Sequence, residues 1–225
     1  MPAIRRRAVA SVSALALLAS LLVVAQPAFA AQKKTTKFGF PTNHTVLGFN
    51  YKVIASTHIK KLNQTITTPP GGKFLGEVDF DTQKLRGTIQ LPPVKFTFSQ
   101  AGVPLANATA QIVSAKPVTG TINLNNFKVT ATSVFNMRIV SAYAATPTIP
   151  GVGPLPVPPV NLVGDQCTTE KPIVVTMSGI AKIGAKSTFS GTFTIPNFKT
   201  CSVMTAVLNQ LVPGPGNTFK AVATP

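Results

Sequence analysis

An alternation of large apolar and polar residues, with a glycine on the apolar side, limits the fold of this chain more than any other feature. In "KLRGTIQLP", Leu85, Gly87, Ile89 and Leu91 fall on one face by period two, and Lys84, Arg86, Thr88 and Gln90 on the other. The pattern recurs in "GTINLN" from Gly120 and in "GTFTIP" from Gly191, with the glycine on the apolar face each time. One face of such a strand is dry and the other wet, and the glycine leaves room there for a bulky neighbour, a bend or a bulge. The three copies are too unequally spaced for a solenoid of fixed period. They imply one strand type reused in a sandwich or barrel.

Upstream, "GKFLGEVDFDT" sets Phe74, Gly76, Val78 and Phe80 against Leu75, Glu77, Asp79 and Asp81. A two-residue turn at Thr82-Gln83 predicts a hairpin with Phe80 opposite Leu85, Val78 opposite Gly87 and Gly76 opposite Ile89. Asp81 then meets Lys84 and Asp79 meets Arg86 on the wet face, as opposite-charge pairs. Further strands are expected in "TVLGFNYKVIAST", "KFTFSQ", "NATAQIVSA", "FKVTATSVFNMRIVSAYA", "IVVTMSG" and "NTFKAVAT". Short runs rich in Val, Ile, Thr and Phe, divided by Gly, Pro and Asn, predict an all-β fold: an antiparallel β-sandwich or a partly closed barrel.

One segment departs from period two. In "CSVMTAVLNQLVPGPGN", Val203, Met204, Val207, Leu208 and Leu211 share a helical face that Pro213 and Gly214 end, predicting one short C-terminal helix over an end or edge of the sheets. The face has no aromatic residue and the segment no lysine or arginine, so core packing is expected of it and membrane binding is not. The stretch "PTIPGVGPLPVPPV" holds six prolines from Pro147 to Pro159 and cannot be a central strand. It is expected to connect, over residues 147–163, two parts of a single β domain spanning 38–225.

Residues 1–30 have the form of a signal peptide. Arg5, Arg6 and Arg7 precede the apolar "AVASVSALALLASLLVVA", and Ala28-Phe29-Ala30 supplies the small-x-small cleavage pattern. Residues 31–37 are expected to be a flexible N-terminus, and the long apolar region leaves an uncleaved anchor as the alternative. Loss of the three arginines takes the basic count from 21 to 18 against 5 acidic residues, a net charge of +13. Such a surface attracts anionic partners. The lysines are scattered, tryptophan is absent and no nucleic-acid module is recognisable, so cell-wall polymers or lipids are the expected partners and nucleic acid is not. Cys167 and Cys201 are the only cysteines and lie in the exported part, where an isolated pair reads as one disulfide.

The remaining chemistry is sparse. The carboxylates are Glu77, Asp79, Asp81, Asp165 and Glu170, and the histidines His44 and His58. Glu77, Asp79 and Asp81 on one strand face have the spacing to hold a calcium ion or act as paired carboxylates, but Lys84 and Arg86 across the hairpin make a neutralised wet face the better expectation. His58 has no nearby residue to complete a triad, and no nucleophile elbow, zinc-protease run or phosphate loop occurs. No catalytic, cofactor-binding or metal-binding residue is assigned, and a non-enzymatic protein is expected.

The order "CTTEKPIVVTMSG", "SGTFTIPNF", Cys201 and "LNQLVPGPGNTF" resembles that of a group of exported actinobacterial proteins of uncharacterised function, which have signal peptides, two cysteines and a closing Pro-Gly-Pro-Gly-Asn segment. "GEVDFDTQKLRGTIQLPP" is similar to their N-terminal half. The resemblance implies a secreted β-rich protein and transfers no catalytic residue. The function expected from all of this is an envelope-associated or extracellular interaction module that binds anionic surface components by its basic charge; the alternative is a carrier enclosing an apolar ligand such as a lipid within the β domain.

Overall fold

A computed structural model describes residues 35–100, 103–146, 148–149, 153–154, 160–182 and 184–225. The expected signal peptide lies outside the described residues, as does most of the proline-rich stretch. In chain order the strands are β1 (Val46–Ile59), β2 (Gln64–Thr67), β3 (Gly72–Asp79), β4 (Lys84–Gln90), β5 (Val94–Gln100), β6 (Val103–Asn123) and β7 (Lys128–Ala144). They continue with β8 (Thr148–Ile149), β9 (Gly153–Pro154), β10 (Thr168–Thr169), β11 (Ile173–Ile180), β12 (Ser187–Ile195) and β13 (Phe198–Lys199). A 3-10 turn at Ser202–Met204 leads into the helix α1 (Thr205–Leu211), and β14 (Gly214–Thr224) ends the chain.

Eight of these strands pair in a ring. Going round it, β1, β3, β4, β6, β7, β11, β12 and β14 follow one another in chain order, every pair antiparallel, and β14 closes on β1 from Lys52↔Thr224 to His58↔Thr218. The fold is therefore all-β with an up-and-down barrel at its centre and one short C-terminal helix. Strands from both sides of the proline-rich stretch share this wall, five from before it and three from after it. The long strands β6 and β7 run past one end of the ring, where β5 pairs with β6 and β10 with β7.

The alternation seen in the sequence sets the two faces of the wall. On β7, Val129, Ala131, Phe135, Met137 and Ile139 are buried while Lys128, Thr130 and Val140 are exposed. On β1 the outward positions include Asn50, Lys52 and Ser56, and on β11 Thr176 and Ser178. A membrane-spanning barrel has the reverse arrangement, apolar outside and polar within. Among the described residues no helix is long and apolar enough to cross a membrane.

The β3–β4 hairpin differs from its expected register by two residues. The structure pairs Gly76 with Gly87, Val78 with Leu85 and Asp79 with Lys84. The turn has four residues, Phe80 to Gln83, because Asp79 Oδ1 accepts the backbone N–H groups of Asp81 and Thr82 and so bends the chain early. Gln83 closes the turn at φ 53°, as Asn63 and Phe127 close two more four-residue turns at φ 48° and 54°. The expected Asp81–Lys84 and Asp79–Arg86 pairs do not form. Arg86 donates to the carbonyls of Phe38 and Gly39 and lies 4.8 Å over the Phe40 ring. Part of the expected wet face, Glu77, Asp79 and Arg86, is bonded to the strap Thr35–His44, which includes the described part of the expected flexible N-terminus, while Asp81, Lys84 and Gln90 stay exposed.

Two more expectations need correction. "NATAQIVSA" and "GTIN" belong to one 21-residue strand, β6. Pro117 is tolerated inside it because its register against β7 shifts on both sides of Lys116, so no ladder bond calls for its missing N–H. The helix is shorter than its apolar periodicity: Val203 falls in the 3-10 turn and is 75% exposed, Val207 faces outward, and Leu208 with Val212 supplies the buried contact.

Candidate functional site

The recurrent glycines shape the inside of the barrel. A Cβ on Gly76 would lie 2.5 Å from Phe49 Cζ, and one on Gly87 would lie 2.8 Å from Phe74 Cε2, so two facing glycines admit two aromatic rings. Phe49 then packs on Phe74 at 5.2 Å and on Tyr51 at 5.5 Å between centroids. Gly120 and Gly191 serve a closer approach, since a Cβ there would run into the carbonyl oxygens of Thr130 and Thr176 on the neighbouring strands.

The three rings line an outer chamber of about 120 Å³ inside the ring of strands. Its wall is almost wholly apolar, and its rim includes Leu47 and Phe127, which are 47% and 39% exposed. Phe127 holds its side chain at the rim from a left-handed backbone, a conformation bulky residues rarely adopt, and its carbonyl accepts the Ala181 N–H. An inner chamber of about 60 Å³ lies further along the barrel, lined by Phe96, Phe98, Phe135, Phe193 and Phe219 among others. Ile89 and Met177 border both chambers and form the partition between them.

The far end of the inner chamber is closed. Leu208 and Val212 are buried there, and Asn209 of the helix exchanges two hydrogen bonds with the Phe198 backbone. The Cys167–Cys201 disulfide, both residues fully buried, ties the approach to the helix to β10, and the Cys167 carbonyl accepts the Ile139 N–H on β7. Asn217 accepts the Lys60 N–H and donates to the carbonyl of Gly214, fixing the chain as it leaves the helix for β14.

The five carboxylates are placed elsewhere, on the outside. Glu77 accepts from the Thr36 hydroxyl and from the Phe38 N–H at 3.1 Å, so it anchors the strap. Asp79 is buried, with His44 Nδ1 donating to Oδ2 at 2.8 Å and the Thr82 hydroxyl at 2.6 Å. Burial favours its neutral form, but the bonds from Thr82, His44 and the backbone N–H groups of Thr82 and Asp81 outweigh this and hold its pKa down at about 2. Asp81 joins His44 and Asp79 in a group of ligand-type atoms within 4.8 Å of one another. Asp79 spends both oxygens on four donors and Asp81 accepts the Thr45 N–H, so the group caps a turn and fastens the strap. Asp165 and Glu170 are exposed near the closed end, and His58 pairs with Thr65 on the outer wall at 3.2 Å.

Sequence reasoning did not single out Phe49, Phe127 or Ser133, all of which line the chambers. The signal for Ser133 was present: it is the one polar residue among the inward positions Val129 to Ile139 of β7. Phe127 carried none, because an aromatic at the end of an Asn-rich turn is ordinary until its backbone angle is known. Comparison with protein-family models, with curated proteins and with solved structures finds no match.

Proposed function

We propose that this is an exported, non-enzymatic carrier that holds a small apolar ligand in the barrel lumen. The observation that carries the proposal is the two-chamber apolar interior, closed by a helix at one end and rimmed by partly exposed Leu47 and Phe127 at the other. Eight-stranded barrels are at the size where side chains either fill the interior or leave space for one small ligand. An apolar cavity of about 150 Å³ stays dry and admits benzene. The chambers therefore suit a single ring or one alkyl chain, and a two-chain lipid would have to leave most of its bulk outside the mouth.

Native mass spectrometry of the secreted protein, followed by solvent extraction, tests this. A stoichiometric apolar molecule released by the solvent is expected. A protein that is empty and fails to take up benzene or a short alkane would refute the carrier proposal.

A second reading has its own support. Among the described residues no lysine or arginine forms an ion pair, since the one carboxylate pair is His44–Asp79. Lys84, Lys128, Lys182 and Lys186 are exposed on the strands and loop at the mouth end, so anionic wall polymer or lipid headgroups would attract the barrel by its open end. Retention on isolated envelopes should fall as salt shortens the Debye length from about 10 Å at 0.1 M to about 3 Å at 1 M. Retention unchanged by salt would argue against it.

A further inference from the structure

Among the described residues, the one buried side-chain polar atom without a hydrogen-bond partner is Ser133 Oγ. Ser133 is 1% exposed and lines the inner chamber from an inward position of β7. The other two buried hydroxyls on the chamber walls are engaged, while Tyr51 and Thr57, which also line them, are only partly buried. Ser187 Oγ accepts the Lys182 N–H at 2.8 Å, and Thr68 Oγ1 accepts the Ala55 N–H at 3.0 Å. The neighbouring strand also breaks step at this point. The β6–β7 register jumps from Lys116↔Val134 to Thr119↔Thr132, so β6 sets no partner opposite Ser133, and Pro117 in the gap brings no N–H. Among the described residues, a fold that satisfies its other buried side-chain polar atoms thus leaves one buried hydroxyl on the wall of an apolar cavity.

We infer that Ser133 Oγ is the hydrogen-bonding partner of the lumen ligand and sets its chemical class. This rests on the carrier proposal. No titratable residue lines the inner chamber, so a carboxylate or phosphate placed there would lose its solvation with no counter-charge. The group that meets Ser133 is therefore a neutral oxygen, the hydroxyl of an alcohol or the carbonyl of a ketone or ester, at one end of an otherwise apolar molecule. The ligand enters oxygen first and passes the Ile89–Met177 partition, where the unbranched thioether of Met177 can change rotamer. Its apolar remainder lies against Phe49 and Phe74 in the outer chamber.

The test uses the mature protein, titrated with 1-octanol and with n-octane, and follows the Met137 and Met177 methyl signals by NMR. Both methionines border the inner chamber. In the wild type both ligands should shift these signals. Ser133→Ala should weaken 1-octanol about fivefold to tenfold, the usual scale of one neutral hydrogen bond, and leave n-octane within about twofold. Ser133→Thr, which keeps the hydroxyl, should keep the preference for 1-octanol. Thermal melts establish that each variant is folded, and Ser133→Ala should melt no lower than the wild type because it removes an unmatched buried hydroxyl. If both ligands bind and Ser133→Ala weakens neither, or weakens both equally, the role of Ser133 is overturned and the carrier proposal stands. If neither ligand shifts the methyl signals of the wild type, both fall together.

Discussion

At one end of the barrel Leu208 is fully buried, a disulfide closes the chain and Asn209 and Asn217 each join two segments of backbone; at the other, Leu47 and Phe127 stand partly in solvent around an apolar chamber. The closed end is held by contacts between residues far apart in the chain, such as Lys60 with Asn217 and Cys167 with Cys201. The mouth combines local turns, with Asp79 bonding to Asp81 and Thr82, Asn123 to Asn125 and Asn126 to Lys128, with ties as distant in the chain as Thr45 to Asp81 and Ala181 to Phe127. Both ends are tied across the chain, and what separates them is burial: Leu208 and the disulfide are fully buried, while Leu47 and Phe127 border an opening. The difference assigns stability to one end and access to the other.

Perturbing each end in turn should break or sharpen this contrast. The largest effect is expected at the closed end: replacing both cysteines by alanine removes a cross-link between residues 34 apart and should cost about 3 to 4 kcal/mol, read from denaturant unfolding. A loss below about 1 kcal/mol would mean that the helix and asparagines hold this end without it.

A smaller, pH-dependent effect is expected near the mouth. Asp79 has a folded pKa of about 2, below the ordinary 3.8, so the folded chain favours its ionised form. That contribution is complete above the unfolded value and is lost as pH falls from about 4 through about 2. The melting temperature of the wild type should drop across this window, and its advantage over Asp79→Asn should shrink with it. An advantage independent of pH would assign the role of Asp79 to shape rather than charge.

The smallest effect has the opposite sign. Phe127→Gly relieves a left-handed backbone that glycine adopts freely, and should leave stability unchanged or raise it by about 1 kcal/mol while weakening uptake of an apolar probe. If Phe127→Gly instead destabilises the fold strongly, the ring belongs to the core and the mouth is less open than its exposure implies.

Parts of this were legible before the structure. The inward set of β4 and the strand nature of all three glycine motifs follow from period two, because a pleated strand admits only that alternation. The cysteine pairing followed from there being only two. The hairpin register was not legible, because "DFDTQK" suits a two-residue or a four-residue turn equally until Asp79 is seen bonding forward to Thr82. Nor was the unity of β6, since Pro117 reads as a break when the shift in register beside it is unknown. The candidate site was the least visible part, because a cavity is defined by which residues fail to meet across a barrel.

The sequence by itself determined that this chain forms antiparallel strands with one dry face, one short helix and one disulfide, because alternation, periodicity and cysteine count act within a segment or between two unique residues. Only the tertiary structure decided that the dry faces curve into a ring, that facing glycines admit Phe49 and Phe74, and that Ser133 is left without a partner. Closure, cavity and hydrogen-bond satisfaction depend on the register between strands distant in the chain, and no single segment carries that information.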